Sequence, residues 1–431
     1  MAKDNIRAIA YEAIYEIMEQ GEYSHLIIRA ILDKYAYLSK QERAFFTRLT
    51  EGTIERSVEL DYLIDQVSKT KVSKMKPQIR TIMRMGAYQL KYMDSVPDSA
   101  ACNESVKLAK KKGFSSLSGF VNGVLRNLAR TVGEISYPKD EQLALSVRTS
   151  MPLWLVKHFT QAYGRQRTQD ICESFLSPMP TVIRVNTMKI TREELIDRLQ
   201  KQGITCDASK RLKEAAYLSE YDRLSDLKEF QDGLFSVQDI SSMMVGEWLQ
   251  AKSGERILDL CAAPGGKALH AYERMKGEGE VIARDLTQSK VDMIRENAAR
   301  LDANNIICEV WDATVLDETK KGWADAVIAD LPCSGLGIIG KKTDIKYKVT
   351  KEQLKQLSLL QRDILKVAAY YVADGGRLLY STCTMNPGEN EENAEWFLNE
   401  FKEFALVKKE QIFPISGRQD GFFLALFTKK V

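Results

Sequence analysis

Two cysteines sit where an α/β sheet gathers its reacting groups. Cys333 lies in ADLPCSGLG (329–337) and Cys383 in LLYSTCTMNPGENEEN (378–393), each just after an apolar run that reads as a strand. Open α/β sheets bind ligands beyond the carboxyl ends of their strands, so both thiols are placed for chemistry. Upstream, LDLCAAPGGKALH (258–270) reads as a strand, a glycine turn and the start of a helix. Gly265 and Gly266 permit a tight turn with a ligand close to the backbone, and free amides at a helix start favour polar or anionic groups. A cofactor turn with two strand-end thiols points to group transfer through a covalent intermediate.

The acids around the turn indicate the kind of cofactor. VIARDL brings Asp285 to the end of the next strand, about 20 residues after Gly266, where a carboxylate accepts from ribose hydroxyls. IICEVWD brings Asp312 to the following strand end, within reach of an adenine amine. Either aspartate alone is equally well explained as a helix N-cap. Acids after consecutive strands favour a nucleoside. The loop is neither G-x-G-x-x-G nor a G-K-[ST] sequence, so no pyrophosphate is indicated and S-adenosyl-L-methionine is the leading candidate.

A thiol beside a methyl donor suits one difficult reaction, methylation of C5 of cytosine. That carbon is a poor nucleophile. A thiolate adding at C6 makes C5 enamine-like; C5 then takes the methyl group and loses its proton, and the thiolate is expelled. Asp330, ahead of Pro332 and Cys333, can protonate or hydrogen-bond N3 if its surroundings raise its pKa. A single buried cysteine is ordinarily a small core residue. The spacing does not decide whether Cys333 or Cys383 attacks.

These groups need a scaffold, and residues 236–431 supply a strand–helix–strand rhythm. It predicts a doubly wound, Rossmann-like α/β domain with a largely parallel sheet. GRQDGFFLALFTKK can add an antiparallel strand, with Phe422 and Phe423 read first as edge-strand residues. Residues 145–235 read as a small α+β module: MPLWLVKHFTQAYG is an amphipathic helix, TVIRVNT a strand, and TREELIDRLQKQG a helix with the Thr191–Glu194 capping-box spacing. Arg184 and Asn186 in that strand serve equally as RNA contacts or as structural polar residues. Residues 1–140 are all-helical, with apolar positions such as Ile9, Ala13, Ile14 and Ile17 at helical spacing. Ser39, Pro77 and Pro97-Asp98-Ser99 mark helix starts.

Basic residues gather in the helical part: Lys69, Lys71, Lys74, Lys76, Arg80 and Arg84, then Lys107, Lys110, Lys111, Lys112, Arg126 and Arg130. They read as RNA phosphate contacts or as a solvated helical face. The net charge of +3 over 431 residues is too small to decide between these. Cysteines 102, 172, 206, 261, 308, 333 and 383 are spread singly and the three histidines are isolated, so neither disulfides nor a metal site is indicated. No run approaches the roughly 20 apolar residues of a membrane span, and the charged amphipathic start is unlike a signal peptide. A cytoplasmic protein is expected, with a monomer as default.

CAAPGGK, ADLPCSGLG and STCTMNPGENE closely resemble the Sun family of RNA 5-methylcytosine methyltransferases. In that family the Thr-Cys cysteine is the nucleophile and the Pro-Cys cysteine assists release. The resemblance therefore implies Cys383 as nucleophile and Cys333 as helper. It also implies cofactor contacts from Cys261, Ala262, Ala263, Pro264, Gly265, Gly266, Lys267, Asp285, Asp312 and Asp330. VPDSAACNESVKLAKKKGFSSLSGFVNGVLRNL (96–128) is similar to the end of the helical RNA-binding fold of antitermination factor NusB. A NusB-like domain joined to a Sun-family domain implies a cytosine of 16S ribosomal RNA as substrate. Gly340, where relatives often carry arginine, and Leu331, in place of a frequent alanine, depart from the pattern without touching a reacting group. Two rivals remain: an rRNA assembly factor with a silent methyltransferase fold, and a DNA cytosine methyltransferase in which the Pro-Cys thiol attacks.

Overall fold

A computed structural model describes residues 5–431, and the chain divides into two compact units. Among the described residues, one runs as far as Leu176 and takes in Lys341–Lys348; the other comprises Ser177–Gly340 and Val349–Val431.

The first unit is helical. Its larger helices are Ile6–Glu19, Ser24–Lys34, Lys40–Glu55, Ser57–Val67, Pro77–Tyr92, Asp98–Lys111, Ser118–Thr131, Glu141–Arg148 and Leu153–Ser174. The start signals act as the sequence suggests: Ser39 and Glu42 form a reciprocal capping box, and Pro77 occupies the first turn of its helix, where its missing N–H leaves nothing unpaired. Tyr11, Ile14, Phe46, Leu63, Ile82 and Leu125 meet in one core. The helix expected to end near Gly164 instead kinks there, with φ 76°, and continues to Ser174.

The basic residues of this unit fall into two sets. Arg80 makes a two-pronged ion pair with Glu19, Arg84 pairs with Asp61 at 2.7 Å, and Lys112 contacts Glu12 and lies over the Tyr11 ring. Those three are half-buried and hold helices together. Lys69, Lys74, Lys76, Lys110, Lys111 and Arg130 are exposed. Sequence spacing mixed the two sets because it cannot show which side of a helix faces an acid on a neighbour.

The second unit contains two sheets. The smaller is antiparallel, with β1 (Thr181–Val185), β2 (Thr205–Ala208), β3 (Ala215–Ser219) and β4 (Phe235–Val237) in the order β2-β3-β1-β4. Helix Arg192–Gln200 starts at the Thr191–Glu194 capping box and buries Leu195 and Leu199 against Ile183, Val185 and Phe235.

The larger sheet consists of β5 (Arg256–Asp259), β6 (Glu280–Asp285), β7 (Ile306–Val310), β8 (Ala324–Asp330), β9 (Val372–Thr382), β10 (Phe404–Ile412) and β11 (Phe422–Lys429), in the order β10-β11-β9-β8-β5-β6-β7. Strands β5 to β9 are parallel, and β11 is antiparallel to both β9 and β10. The register is set by apolar burial on both faces: Phe423, Ala425 and Phe427 join one core, and Phe422, Leu424 and Leu426 the other. β11 is therefore an inner strand, which corrects the edge-strand reading of Phe422 and Phe423. The edge is β10, whose exposed Lys408, Lys409 and Glu410 carry the charge that edge strands use against further pairing. Strand β5 lies between β6 and β8, so the strand order reverses beside it and opens a crevice at the carboxyl ends.

Candidate active site

At that switch point β5 ends at Asp259 and the chain turns through Cys261, Ala262, Ala263, Pro264 and Gly265 into helix Gly266–Arg274. Gly265 has φ 103°, and an added Cβ would lie 3.1 Å from Leu269 and 3.3 Å from Ile294. Only glycine meets that conformation without strain. Neighbouring side chains then fix the turn. Asp285 accepts from the Ala263 amide at 3.0 Å, Asn297 donates to the Pro264 carbonyl at 3.0 Å, and Arg184 donates to the Gly266 carbonyl at 2.8 Å.

Arg184 is buried and forms a bidentate pair with Glu273 at 2.9 and 3.0 Å, while Asn186 donates to the Gly233 carbonyl. Both residues of RVNT are thus structural, and Arg184 braces the turn from beneath. Lys267 reaches Asp330 at 2.5 Å, and Ser381 donates to the other oxygen of that carboxylate at 2.7 Å. Burial by itself lowers the Lys267 ammonium, but the charges of Asp330 and Asp259 outweigh it and raise its pKa. Lys267 therefore carries a positive charge into the site.

Asp259 stands at the end of β5, ahead of the glycine turn. Its side chain is fully buried, neither oxygen has a hydrogen-bond partner, and burial, followed by the charge of Asp330, pushes its pKa up to about 8. An acid left in that state suits a cationic group. The amino group of S-adenosyl-L-methionine is such a group, and Asp285 retains acceptor capacity for ribose hydroxyls beyond its bonds to Ala263, Leu286 and Lys290. The residues present fit this cofactor. Asp312 is placed differently: it is exposed, and its carboxylate accepts from the Thr314 amide and hydroxyl, which lower its pKa. Among the described residues no cluster of His, Cys, Asp or Glu could hold a metal ion, and no helix is long and apolar enough to cross a membrane.

The two cysteine loops leave adjacent parallel strands. The β8–β9 ladder is extended by Leu331 N–H donating to Ser381 at 3.0 Å and by Gly337 N–H donating to the Cys383 carbonyl at 3.0 Å. A Cβ on Gly337 would fall 2.8 Å from the Cys383 carbonyl oxygen and 2.0 Å from that of Gly421, just before β11, so glycine lets this loop close on both segments. The result places Cys333 Sγ 3.2 Å from Cys383 Sγ. The hydrogen bond with Cys383, reinforced by burial, raises the Cys333 pKa well above that of an ordinary thiol. Either sulfur can donate across this contact. The structure thereby gathers Cys333, Cys383, Asp330, Lys267, Asp285 and the glycine turn at one sheet edge.

Comparison with known proteins adds a family context. The description "16S rRNA methyltransferase RsmB/F" matches residues 246–428, the NusB family residues 4–130, and the ferredoxin-like domain of RsmF/B-like methyltransferases residues 151–222. The chain is 37% identical to a Bacillus subtilis protein named "Probable ribosomal RNA small subunit methyltransferase B", covering 100% of both chains. It is 30% identical to ribosomal RNA small subunit methyltransferase B of Serratia proteamaculans, covering 99% of both. Among solved structures, PH0851 superposes with a TM-score of 0.83 at 25% identity, covering 98% of this chain and 99% of the other. A methyltransferase homolog protein from Pyrococcus horikoshii gives 0.60 at 28% identity, covering 68% of this chain and 100% of the other.

Proposed function

Starting from the fact that the chain belongs to the RsmB/F family of 16S rRNA methyltransferases, we propose that it methylates C5 of a cytosine in 16S ribosomal RNA through a covalent adduct with Cys383. S-adenosyl-L-methionine, when bound, would supply an electrophilic methyl group, the electron pair of the broken S–CH3 bond staying on its sulfur as the departing thioether. The Cys383 thiolate adds to C6, forming the C–S bond and pushing electron density into the ring toward N3, where the Lys267 ammonium, held by the Asp330 carboxylate, supports it. C5 bonds to the methyl group and surrenders its proton to a base. The electron pair of the broken C5–H bond restores the C5–C6 double bond as the C–S bond breaks, and sulfur leaves with that bond's electrons as a thiolate beside the Cys333 thiol.

The observation that carries this reading is the meeting of the two strand-end thiols, 3.2 Å apart, beside the Lys267–Asp330 pair and the glycine turn. A second thiol at that distance suits the stabilisation of a departing thiolate, and the resemblance of STCTMNPGENE to the Sun family assigns the attack to Cys383. The target base has to leave its stack to bring C6 within reach of sulfur, which calls for single-stranded or flipped RNA. The exposed lysines of the helical unit are the proposed phosphate contacts.

Methyl-labelled cofactor and a 16S transcript test the assignment. Cys383→Ser is expected to abolish transfer and adduct, whereas Cys333→Ser accumulates a covalent RNA adduct seen as a shifted band on a denaturing gel. Adduct retained in Cys383→Ser and lost in Cys333→Ser would reverse the roles. Nucleoside analysis of the product should return 5-methylcytosine.

A further inference from the structure

Glu389 lies behind the thiols and outside the reacting set. It is fully buried in the short turn Pro387–Glu389. Its carboxyl group accepts from the Ser334 amide at 2.9 Å, from Gln361 at 3.0 Å and from Asn386 at 3.0 Å. These partners are neutral, and burial raises the Glu389 pKa despite their hydrogen bonds. Ser334 follows Cys333 in the chain. Gln361 also donates to the Pro332 carbonyl at 2.9 Å, so a single Gln361–Glu389 pair anchors the backbone on both sides of the Cys333 thiol. A second arm runs from the Ser334 hydroxyl to the Thr384 hydroxyl at 2.6 Å, beside Cys383.

The two thiols depend on this network unequally. Cys383 immediately follows β9, which is hydrogen-bonded to β8 and β11, and its own carbonyl accepts from Gly337. Cys333 lies past the end of β8, in a loop anchored at Pro332 and Ser334. A donor pair converging on one buried acid fixes such a loop only if the acid reaches both donors at once. We propose that Glu389 is a positioning residue for Cys333: by holding the Ser334 amide, it keeps the Cys333 thiol against Cys383 and serves release of the product rather than attack on the base. This rests on the proposed roles of the two cysteines.

Two variants of the full chain separate reach from charge. Glu389→Asp keeps the carboxyl but shortens the side chain by one methylene, while Glu389→Gln keeps the length and loses the ionisable group. With a 16S transcript and labelled S-adenosyl-L-methionine, Glu389→Asp is expected to form the adduct and bind cofactor as the parent does. Its turnover should fall roughly 10²-fold, the scale of a small misplacement of a reacting group, with adduct accumulating. Glu389→Gln should recover the larger part of that turnover. Parental turnover in Glu389→Asp would overturn the inference, as would joint loss of cofactor affinity, adduct formation and turnover. Cys333→Ser, run alongside, identifies the source of a failure. If it traps adduct while Glu389→Asp does not, only the Glu389 role is wrong; if neither traps adduct, the release role of Cys333 falls and this inference falls with it.

Discussion

Replacing Asp259 by asparagine should change how stability depends on pH. In the folded chain both carboxylate oxygens are buried without a partner, and the pKa stands at about 8 against an ordinary 3.8. Burial is the larger cause and the charge of Asp330 the next, with Lys267 opposing them. Between those two values the folded protein keeps a proton that the unfolded chain has released. Stability from this group is therefore fully present below about pH 4 and is lost as pH rises toward 8, by up to about 1.4 kcal/mol per pH unit and roughly 6 kcal/mol in all. Asparagine does not titrate. The unfolding free energy of Asp259→Asn, measured by denaturant titration without cofactor, should accordingly gain on that of the parent at every step from about pH 5 to 8. Parallel profiles for the two proteins would refute the reasoning. A cationic amino group beside Asp259 favours the charged carboxylate, so parental affinity for S-adenosyl-L-methionine should rise with pH over the same interval. In Asp259→Asn calorimetry should find weaker binding and a flatter pH dependence.

Gly265→Ala forces a Cβ into a left-handed backbone position against Leu269 and Ile294; a loss of about 1–2 kcal/mol is expected in thermal unfolding, with weakened cofactor binding in calorimetry. Arg184→Met leaves Glu273 buried without its cation and frees the Gly266 carbonyl, and should destabilise by about 3–5 kcal/mol in denaturant titration. Lys110→Glu combined with Lys111→Glu should reduce the salt dependence of RNA binding, lowering the slope by about two if both lysines contact phosphates. Arg84→Ala, which removes a half-buried ion pair with Asp61, should lower the melting temperature and leave that slope unchanged.

Local signals in the chain were legible where local physics governs. The capping boxes at Ser39 and Thr191 and the first-turn Pro77 act within a few residues of themselves. The inner strands announce themselves as apolar runs because parallel strands are buried on both faces. Strand β10 escaped notice because LVKKEQI carries the charge of an edge, and an edge is defined by a neighbour it lacks. Asp259 reads in the sequence as one more strand-end acid, and its burial without a hydrogen-bonded side chain is visible only in the fold. Glu389 stood in the sequence among several polar residues at a helix start, and only its bonds to Ser334, Gln361 and Asn386 distinguish it.

The amino-acid sequence by itself determined which chemical groups stand at the strand ends: the glycine turn, the acids at 285 and 330, and the thiols at 333 and 383. It could do so because a parallel α/β chain delivers every such strand end to one edge of the sheet. The tertiary structure decided which of those groups meet. Cys333 and Cys383 touch because β8 and β9 are neighbours in register, Lys267 is committed to Asp330 because β5 lies beside β8, and Asp259 is buried with no side chain hydrogen-bonded to its carboxylate. These are contacts between residues far apart in the chain. They follow from strand order, register and the exclusion of water, none of which a local pattern of residues contains.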